Sequence, residues 1–136
     1  MARRVAMLRA GGAEVEVAGF RRGDAPPSTL PVDVVVDLGT THDGRMVHRL
    51  AATLDAARRA PRWSRSLSRP DVIIARNLEM LGVANRLRGL WGGAPSLVYE
   101  CLDIHRLLLR QDGLGRAMRA VEQRLLRAVD LLITSS

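Results

Sequence analysis

Ser96-Leu97-Val98-Tyr99-Glu100-Cys101-Leu102-Asp103-Ile104-His105 is a short apolar run that ends in ionisable side chains. A run of this length without polar alternation is typical of a strand buried on both faces of a parallel sheet. Three other segments have the same character, and one further segment alternates polar and apolar side chains as a half-exposed strand does. The sequence therefore predicts five short strands, at 14–18, 33–37, 71–75, 96–100 and 131–134.

Helical patterns lie between the predicted strands. A second helix is expected to begin after Asn77 and to stop at Gly92-Gly93, because asparagine caps helix starts and glycine ends helices. Each of the three helices has a predicted apolar face. In the first helix this face is Met46, Val47, Leu50, Leu54 and Ala57, and in the second it is Leu81, Ala84 and Leu87. In the third helix it is Leu114, Met118, Val121, Leu125 and Ala128. Strands that alternate with helices predict a doubly wound α/β domain with a mostly parallel sheet and right-handed crossovers.

The chain opens on residues 2–10, which favour a helix before Gly11-Gly12 and the first predicted strand. Doubly wound domains usually begin with a strand that lies at the centre of the sheet. Either residues 4–8 form that strand or the central first strand is missing from this chain, and we favour the second interpretation. Residues 62–70 combine serine, arginine and proline and predict a loop. Residues 1–136 are predicted to form a single domain.

The charge balance favours anionic partners. The chain has 21 basic residues, all of them arginine, against 14 acidic ones, which gives a formal net charge of +7. Only 3% of the residues are aromatic, which argues against a nucleic-acid surface built on stacked rings, so nucleic acid is not expected as a partner. No apolar run approaches the length of about 20 residues that spans a bilayer. Because the N-terminal segment is also a poor signal peptide, we expect a cytoplasmic location.

Several cofactor and metal motifs are absent from the sequence. No GxGxxG follows a predicted strand, no P-loop exists without lysine, and no GxSxG marks a nucleophilic serine. The three histidines form no HExxH motif. The single cysteine, Cys101, excludes an internal disulfide and a cysteine-cluster metal site, and we interpret it as a small buried hydrophobe. We therefore expect this domain to bind no metal and no cofactor.

Polar side chains collect at the predicted carboxyl ends of the strands, where open α/β sheets bind ligands. The residues predicted to contact substrate are His42, Arg76, Asn77, Glu79 and Glu100, and those predicted to act in catalysis are Asp103 and His105. Asp103 would orient the His105 ring and raise its basicity, or it would cap a helix and leave His105 solvated. Arg76 would bind a phosphate or sugar hydroxyls, or it would form a structural bridge with Glu79 or Glu100.

The last predicted helix carries arginines on the side opposite its apolar stripe. These residues are Arg116, Arg119 and Arg127. A basic face of this kind would contact anionic lipid headgroups, or it would only be solvated. The pattern leaves both interpretations open.

Four segments resemble the N-terminal domain of family 4 glycosyltransferases. Arg3-Arg4-Val5-Ala6-Met7-Leu8-Arg9-Ala10-Gly11-Gly12 looks like its first helix, which leads into a strand at 15–20, and Val72-Ile73-Ile74-Ala75-Arg76-Asn77-Leu78-Glu79-Met80-Leu81 resembles one of its strand–helix junctions. Residues 98–105 match its strand that ends in Tyr-x-x-x-Asp-x-His. Glu122 with residues 128–136 is similar to its closing E…ADxVIxxS segment. The order and spacing of the four segments agree over nearly the whole chain.

The resemblance implies the GT-B architecture, in which two Rossmann-like domains face each other across a cleft. This chain would be the acceptor-binding half of an enzyme that moves a sugar, with retention and without metal, from a nucleotide-sugar donor to a lipid-linked or polysaccharide acceptor. Asp103 or His105 would contact the acceptor or the transferred sugar, and Arg76, Asn77 and Glu79 would line the acceptor side. The enzyme would work in cell-envelope polysaccharide biosynthesis, at the inner membrane face.

The donor domain that would hold the nucleotide sugar is absent from these residues. We therefore expect the chain alone to be inactive, and to require a donor-domain chain or to self-associate through unpaired strand edges. The alternative is a non-catalytic α/β module that binds an anionic ligand, a lipid surface or a partner protein.

Overall fold

A computed structural model describes residues 2–22, 35–41, 46–102 and 106–134 of the chain. Helices and strands alternate in these residues as α1 (Ala2–Ala10), β1 (Val17–Arg22), β2 (Val35–Thr41), α2 (Met46–Ser66), β3 (Val72–Ala75), α3 (Leu78–Leu90), β4 (Ser96–Cys101), a 3-10 helix (Arg106–Leu109), α4 (Gly113–Leu126) and β5 (Leu131–Thr134). The predicted α/β class is confirmed, and the arrangement is that of a Rossmann-like half.

The strands form two parallel sheets. β1 pairs with β2, and β3, β4 and β5 pair in that order. Within the described ranges no strand pair joins β1 to β3, which is where a central strand of a doubly wound sheet would lie. The Ser68 amide, before β3, donates to Glu16 Oε2, before β1, at 3.0 Å. The amino ends of the two sheets are therefore neighbours, and α1 shows that residues 4–8 are helical rather than the central strand.

Each sheet has its own hydrophobic core, and α3 contributes to both. The first core, on the β1–β2 sheet, consists of Leu38, Ala56, Ala60, Val83 and Leu87. The second core, on the β3–β5 sheet, consists of Ala75, Leu78, Leu81, Ala84, Leu97, Tyr99 and Met118. The prediction that Leu81, Ala84 and Leu87 are buried is confirmed. These two clusters fix α3 between the sheets.

The predicted ends of α3 are also confirmed. The Asn77 side chain caps the helix by accepting from the Met80 amide at 2.9 Å. At the other end Gly92 and Gly93 have φ of 71° and 75°, in the left-handed region that favours glycine. The Gly93 amide donates to the Arg88 carbonyl at 2.9 Å, which satisfies one of the carbonyls at the end of the helix.

The prediction of a loop over residues 62–70 is wrong in its first half, because α2 continues to Ser66. Pro61 lies inside α2 and removes one backbone hydrogen bond. The helix nevertheless continues, since Ala60 is fully buried in the first core and Trp63 packs against that core. Tertiary packing therefore outweighs the local helix-breaking signal.

Two apolar faces differ from the prediction. Leu54 is 60% exposed, because α2 packs through the small side chains Ala56 and Ala60, which allow α2 and α3 to approach closely. In α4, Leu114 and Val121 are about half exposed, whereas Gly115 and Met118 are buried. Met118, Leu125 and Ala128 of the predicted stripe contact the second core, so the prediction is wrong only at Leu114 and Val121.

The strand bounds shift by one to four residues at several ends. The predicted strands at 14–18 and 33–37 lie at 17–22 and 35–41, because parallel pairing begins with Val17 opposite Val35. The strand predicted at 71–75 begins at 72, and the one predicted at 96–100 extends to 101. The bounds of β5 are as predicted. Within the described part of the chain, no helix is long and apolar enough to cross a bilayer.

Candidate functional site

The carboxyl ends of β3 and β4 bring an arginine and a buried glutamate together. The parallel register places Ala75 beside Tyr99, so that the next residues, Arg76 and Glu100, lie at the same level. Arg76 Nε donates to Glu100 Oε2 at 2.7 Å. Of the alternatives that the sequence left open for Arg76, the bridge to Glu100 is therefore present in the structure.

A second arginine completes the pairing of Glu100. Arg4, in the first turn of α1, donates from Nη2 to Glu100 Oε1 at 2.5 Å. Glu100 is only 7% exposed, and each of its carboxylate oxygens thus accepts from a different guanidinium. The contact also ties α1 to the carboxyl edge of the β3–β5 sheet.

The two arginines decide the charge state of Glu100. Burial acts to raise the pKa of this carboxyl, but hydrogen bonds from Arg4 and Arg76 and the charges of both arginines hold its pKa below the ordinary value. Glu100 is therefore a carboxylate at neutral pH. A carboxylate that accepts from two guanidinium groups is a poor general acid. The structure shows that Glu100 holds both arginines, and its predicted contact with substrate stays a prediction.

An open cavity of about 380 Å³ lies at this pair. Its lining consists of Arg3, Arg4, Met7, Arg76 and Glu100, and we call it the arginine cavity. Among the described residues of the lining, three arginines against one glutamate give an excess of two positive charges. The cavity lies where ligands bind to open α/β sheets.

Two of the predicted substrate-contact residues have identifiable positions in α3. Asn77 is the cap of the helix and has a φ of 131°, in the left-handed region. Glu79 lies in the first helical turn, near the buried Tyr99. Burial is the main cause that raises the pKa of the Tyr99 hydroxyl, followed by its hydrogen bond with Cys101, and the charge of Glu79 is one of the smaller contributions. Neither residue lines the arginine cavity.

Three predicted residues, His42, Asp103 and His105, lie outside the described residues. Their predicted roles remain predictions. Cys101, at the end of β4, is half-buried and packs against the second core. This position agrees with its interpretation as a small hydrophobe.

The three arginines of α4 have different surroundings. Arg119 Nη1 donates to the carbonyl oxygens of Leu108 and Arg110, both at 2.7 Å, and so fixes the segment before α4. Arg116 and Arg127 are exposed. Lipid contact by this face is not tested by these positions and stays a prediction.

The N-terminal cap of α4 is Asp112, whose Oδ1 accepts from the Gly115 amide at 2.9 Å. The hydrogen bond from Arg110 is the largest cause that lowers the pKa of Asp112, to about 2, and the Gly115 amide adds to it. Asp112 and Arg110 are both exposed. This pair therefore orders the start of a helix and does not form a pocket.

Sequence reasoning missed Arg3 and Arg4 as site residues. A helix that leads into a strand of a parallel sheet begins at the carboxyl edge of that sheet. The first turn of α1, with Arg3-Arg4, was thus predictable as part of the ligand-binding edge. The pairing of Arg4 with Glu100 spans 96 residues of sequence and has no local signal.

Among the residues that the structure describes, no group of three or more His, Cys, Asp or Glu side chains could hold a metal ion. The groups gathered at the carboxyl edge are instead guanidinium and carboxylate groups. Their chemistry suits the binding of a polar, anionic ligand.

Comparison with known proteins agrees with this architecture. The succinoglycan biosynthesis protein ExoL of Rhizobium meliloti (strain 1021) is 52% identical to the chain over 134 residues, which are 98% of this chain and 33% of that protein. The chain thus spans about a third of the length of the curated relative that it matches. No solved structure shows a significant match. Residues 1–136 match the model of the glycosyl transferase 4-like domain, which confirms the resemblance found in the sequence, and the chain belongs to this glycosyltransferase family.

Proposed function

We propose that the chain forms the acceptor-binding half of a retaining glycosyltransferase that transfers a sugar from a nucleotide-sugar donor to a lipid-linked or polysaccharide acceptor. The observation that carries the proposal is the match of residues 1–136 to the glycosyl transferase 4-like domain, together with the 52% identity, over 98% of the chain, to a succinoglycan biosynthesis protein. The polar carboxyl edge with its arginine cavity supports it, since this edge is where a ligand would enter.

The proposed roles follow the order of residues along the carboxyl edge. Asp103 and His105 act on the acceptor hydroxyl or contact the transferred sugar, and Arg76 binds the acceptor. His42, Asn77 and Glu79 contribute contacts at the same edge. A second domain supplies the nucleotide-sugar site, and transfer proceeds without metal in the cytoplasm, at the inner face of the membrane.

A chimera tests the proposal in a complete protein. This chain replaces the matching third of the Rhizobium protein in a strain that lacks its own copy, and succinoglycan is measured. We expect the chimera to restore the polysaccharide, and Asp103→Ala and His105→Ala to reduce it strongly. Asp71→Ala, which changes an exposed aspartate before the amino end of β3, is the matched control for Asp103→Ala and is expected to leave production unchanged.

Each outcome of the chimera experiment has a defined meaning. A chimera that accumulates as a folded protein but restores no polysaccharide contradicts the proposed function. Full restoration by the Asp103 and His105 variants contradicts their proposed roles. The purified 136-residue chain is expected to transfer no sugar, and turnover with a nucleotide sugar would show that no second domain is needed.

A non-catalytic module for an anionic ligand is the second candidate, and the positive excess of the arginine cavity is the observation that favours it. The same chimera separates the two candidates. A module without a catalytic role would let the Asp103 and His105 variants restore as much polysaccharide as the unmodified chimera.

A further inference from the structure

We propose that the arginine cavity binds a phosphate or diphosphate group, and that this group is the one that joins the acceptor sugar to its lipid. The binding of phosphate follows from the residues of the cavity alone. Its assignment to the acceptor rests on the proposed function. The two parts are therefore tested separately.

Charge is the first argument. Arginine side chains stay positively charged at neutral pH, and Glu100 neutralises only part of the charge of Arg3, Arg4 and Arg76. The first turn of α1 adds no acidic residue, and the helix macrodipole places further positive potential at this end. A cavity of this composition attracts anions.

The distribution of hydrogen-bond donors and acceptors identifies the kind of anion. Glu100 is the only carboxylate among the described residues of the lining, and both of its oxygens already accept from arginines. A sugar hydroxyl that donated to Glu100 would have to share these oxygens with the arginines. The remaining polar groups of the lining are guanidinium donors, and guanidinium forks match phosphate oxygens in geometry.

Pre-organisation is the third argument. Arg4 donates from Nη2 to Glu100 Oε1, and Arg76 donates from Nε to Glu100 Oε2. The buried carboxylate holds both side chains at the wall of the cavity, with side-chain exposures of 28% and 22%. Holding them in advance reduces the entropy that an anion must offset on binding.

Arg3 supplies the third guanidinium at the opening. It is exposed, and within the described part of the chain no ion pair engages it. Its neighbour in the lining, Met7, is apolar and 54% exposed. A volume of about 380 Å³ accommodates a diphosphate with the first atoms of an attached group.

The experiment measures the affinity of the purified chain for inorganic diphosphate by titration calorimetry at fixed ionic strength. Arg3→Gln is expected to weaken binding about tenfold, as the loss of one charge-assisted hydrogen bond does. Arg86→Gln is the matched control, since Arg86 is an exposed arginine of α3 outside the cavity. This control removes the same charge and is expected to change the affinity by less than about twofold. Circular dichroism checks that both variants remain folded.

A second set of titrations identifies the source of the phosphate. Dimethylallyl diphosphate represents a prenyl-linked acceptor, and uridine diphosphate represents the donor. Stronger displacement of inorganic diphosphate by the prenyl ester supports the acceptor, and stronger displacement by uridine diphosphate overturns that assignment.

Other outcomes overturn the phosphate site itself. If diphosphate does not bind, the cavity is not a phosphate site. If Arg3→Gln and Arg86→Gln weaken binding equally, the net charge of the chain and not the cavity is responsible for the binding. The chain could fail to bind diphosphate while the chimera still restores succinoglycan. That result would overturn the phosphate site and would leave the proposed function unaffected.

Discussion

Replacing Glu100 with glutamine tests whether the buried carboxylate holds the arginine cavity together. The change keeps the shape of the side chain but removes its charge and leaves one carbonyl oxygen as acceptor. Two charge-assisted hydrogen bonds are affected, at 2.5 and 2.7 Å. Each is worth about 1.5–3 kcal/mol.

The expected loss is smaller than the sum of the two bonds. The arginine side chains are 28% and 22% exposed, so water recovers part of their hydration, and the glutamine oxygen still accepts one bond. We expect Glu100→Gln to lower the free energy of unfolding by about 2 kcal/mol at pH 7. Glu14→Gln, which changes an exposed glutamate, is the matched control and is expected to cost less than about 0.5 kcal/mol.

Urea unfolding followed by far-ultraviolet circular dichroism measures the difference. With a slope of about 1–3 kcal/mol per molar urea, the expected loss lowers the midpoint by about 1 M. The difference in unfolding free energy between the unaltered chain and Glu100→Gln also depends on pH, because the pKa of Glu100 in the folded chain lies below its ordinary value. Its stabilisation is complete above the ordinary glutamate pKa of about 4.3 and is lost as the pH falls through the lower pKa of the folded chain.

Either of two results would contradict a stabilising role for the Glu100 carboxylate. A loss as small as that of Glu14→Gln would mean that the pairs contribute no net stability. A loss that stays constant from pH 7 to pH 3 would mean that the carboxylate charge is not what stabilises the folded chain.

Three further substitutions test other contacts. Leu81→Ala empties a fully buried site of the second core and should cost about 3 kcal/mol in thermal or urea unfolding; a cost below 1 kcal/mol would contradict this packing. Asn77→Ala removes the cap of α3 at a residue with a φ of 131°. It should lower the free energy of unfolding by about 1 kcal/mol more than Asn77→Gly, because glycine adopts that φ without strain. Equal calorimetric melting temperatures of the two variants would contradict this expectation. Asp130→Ala removes the acceptor of the Leu97 amide, 2.7 Å away, and a partner of Arg88. The Leu97 amide should then exchange its hydrogen about tenfold faster, consistent with a loss of about 1–2 kcal/mol. Unchanged exchange would refute the role of this carboxylate.

The sequence predicts elements whose signals are local. The apolar run of β5, the Asn77 cap and the Gly92-Gly93 stop depend on neighbouring residues, and the structure has each of them where predicted. The continuation of α2 past Pro61 depends instead on Trp63 reaching the first core. That contact joins distant parts of the chain, so the local serine and arginine pattern could not reveal it.

The candidate site divides in the same way. Arg76 and Glu100 were predictable as edge residues because each lies at the end of a strand. The second partner of Glu100, Arg4, comes from a helix 96 residues away in sequence, and no periodicity links Arg4 to Glu100. The prediction that Leu54 is buried is wrong for a similar reason. It was based on hydrophobicity alone, whereas small residues form the close contact between α2 and α3.

Helix α3 has a consequence for how the chain unfolds. The described strands share no hydrogen-bonded pair between the two sheets, whereas Met80 packs against both cores, Leu81 lies in the second and Val83 in the first. The free energy that couples the two sheets therefore passes largely through the side chains of this helix. We therefore expect a large-to-small change at Met80 to weaken the coupling between the two cores, so that the two sheets unfold in more separate steps than in the unaltered chain.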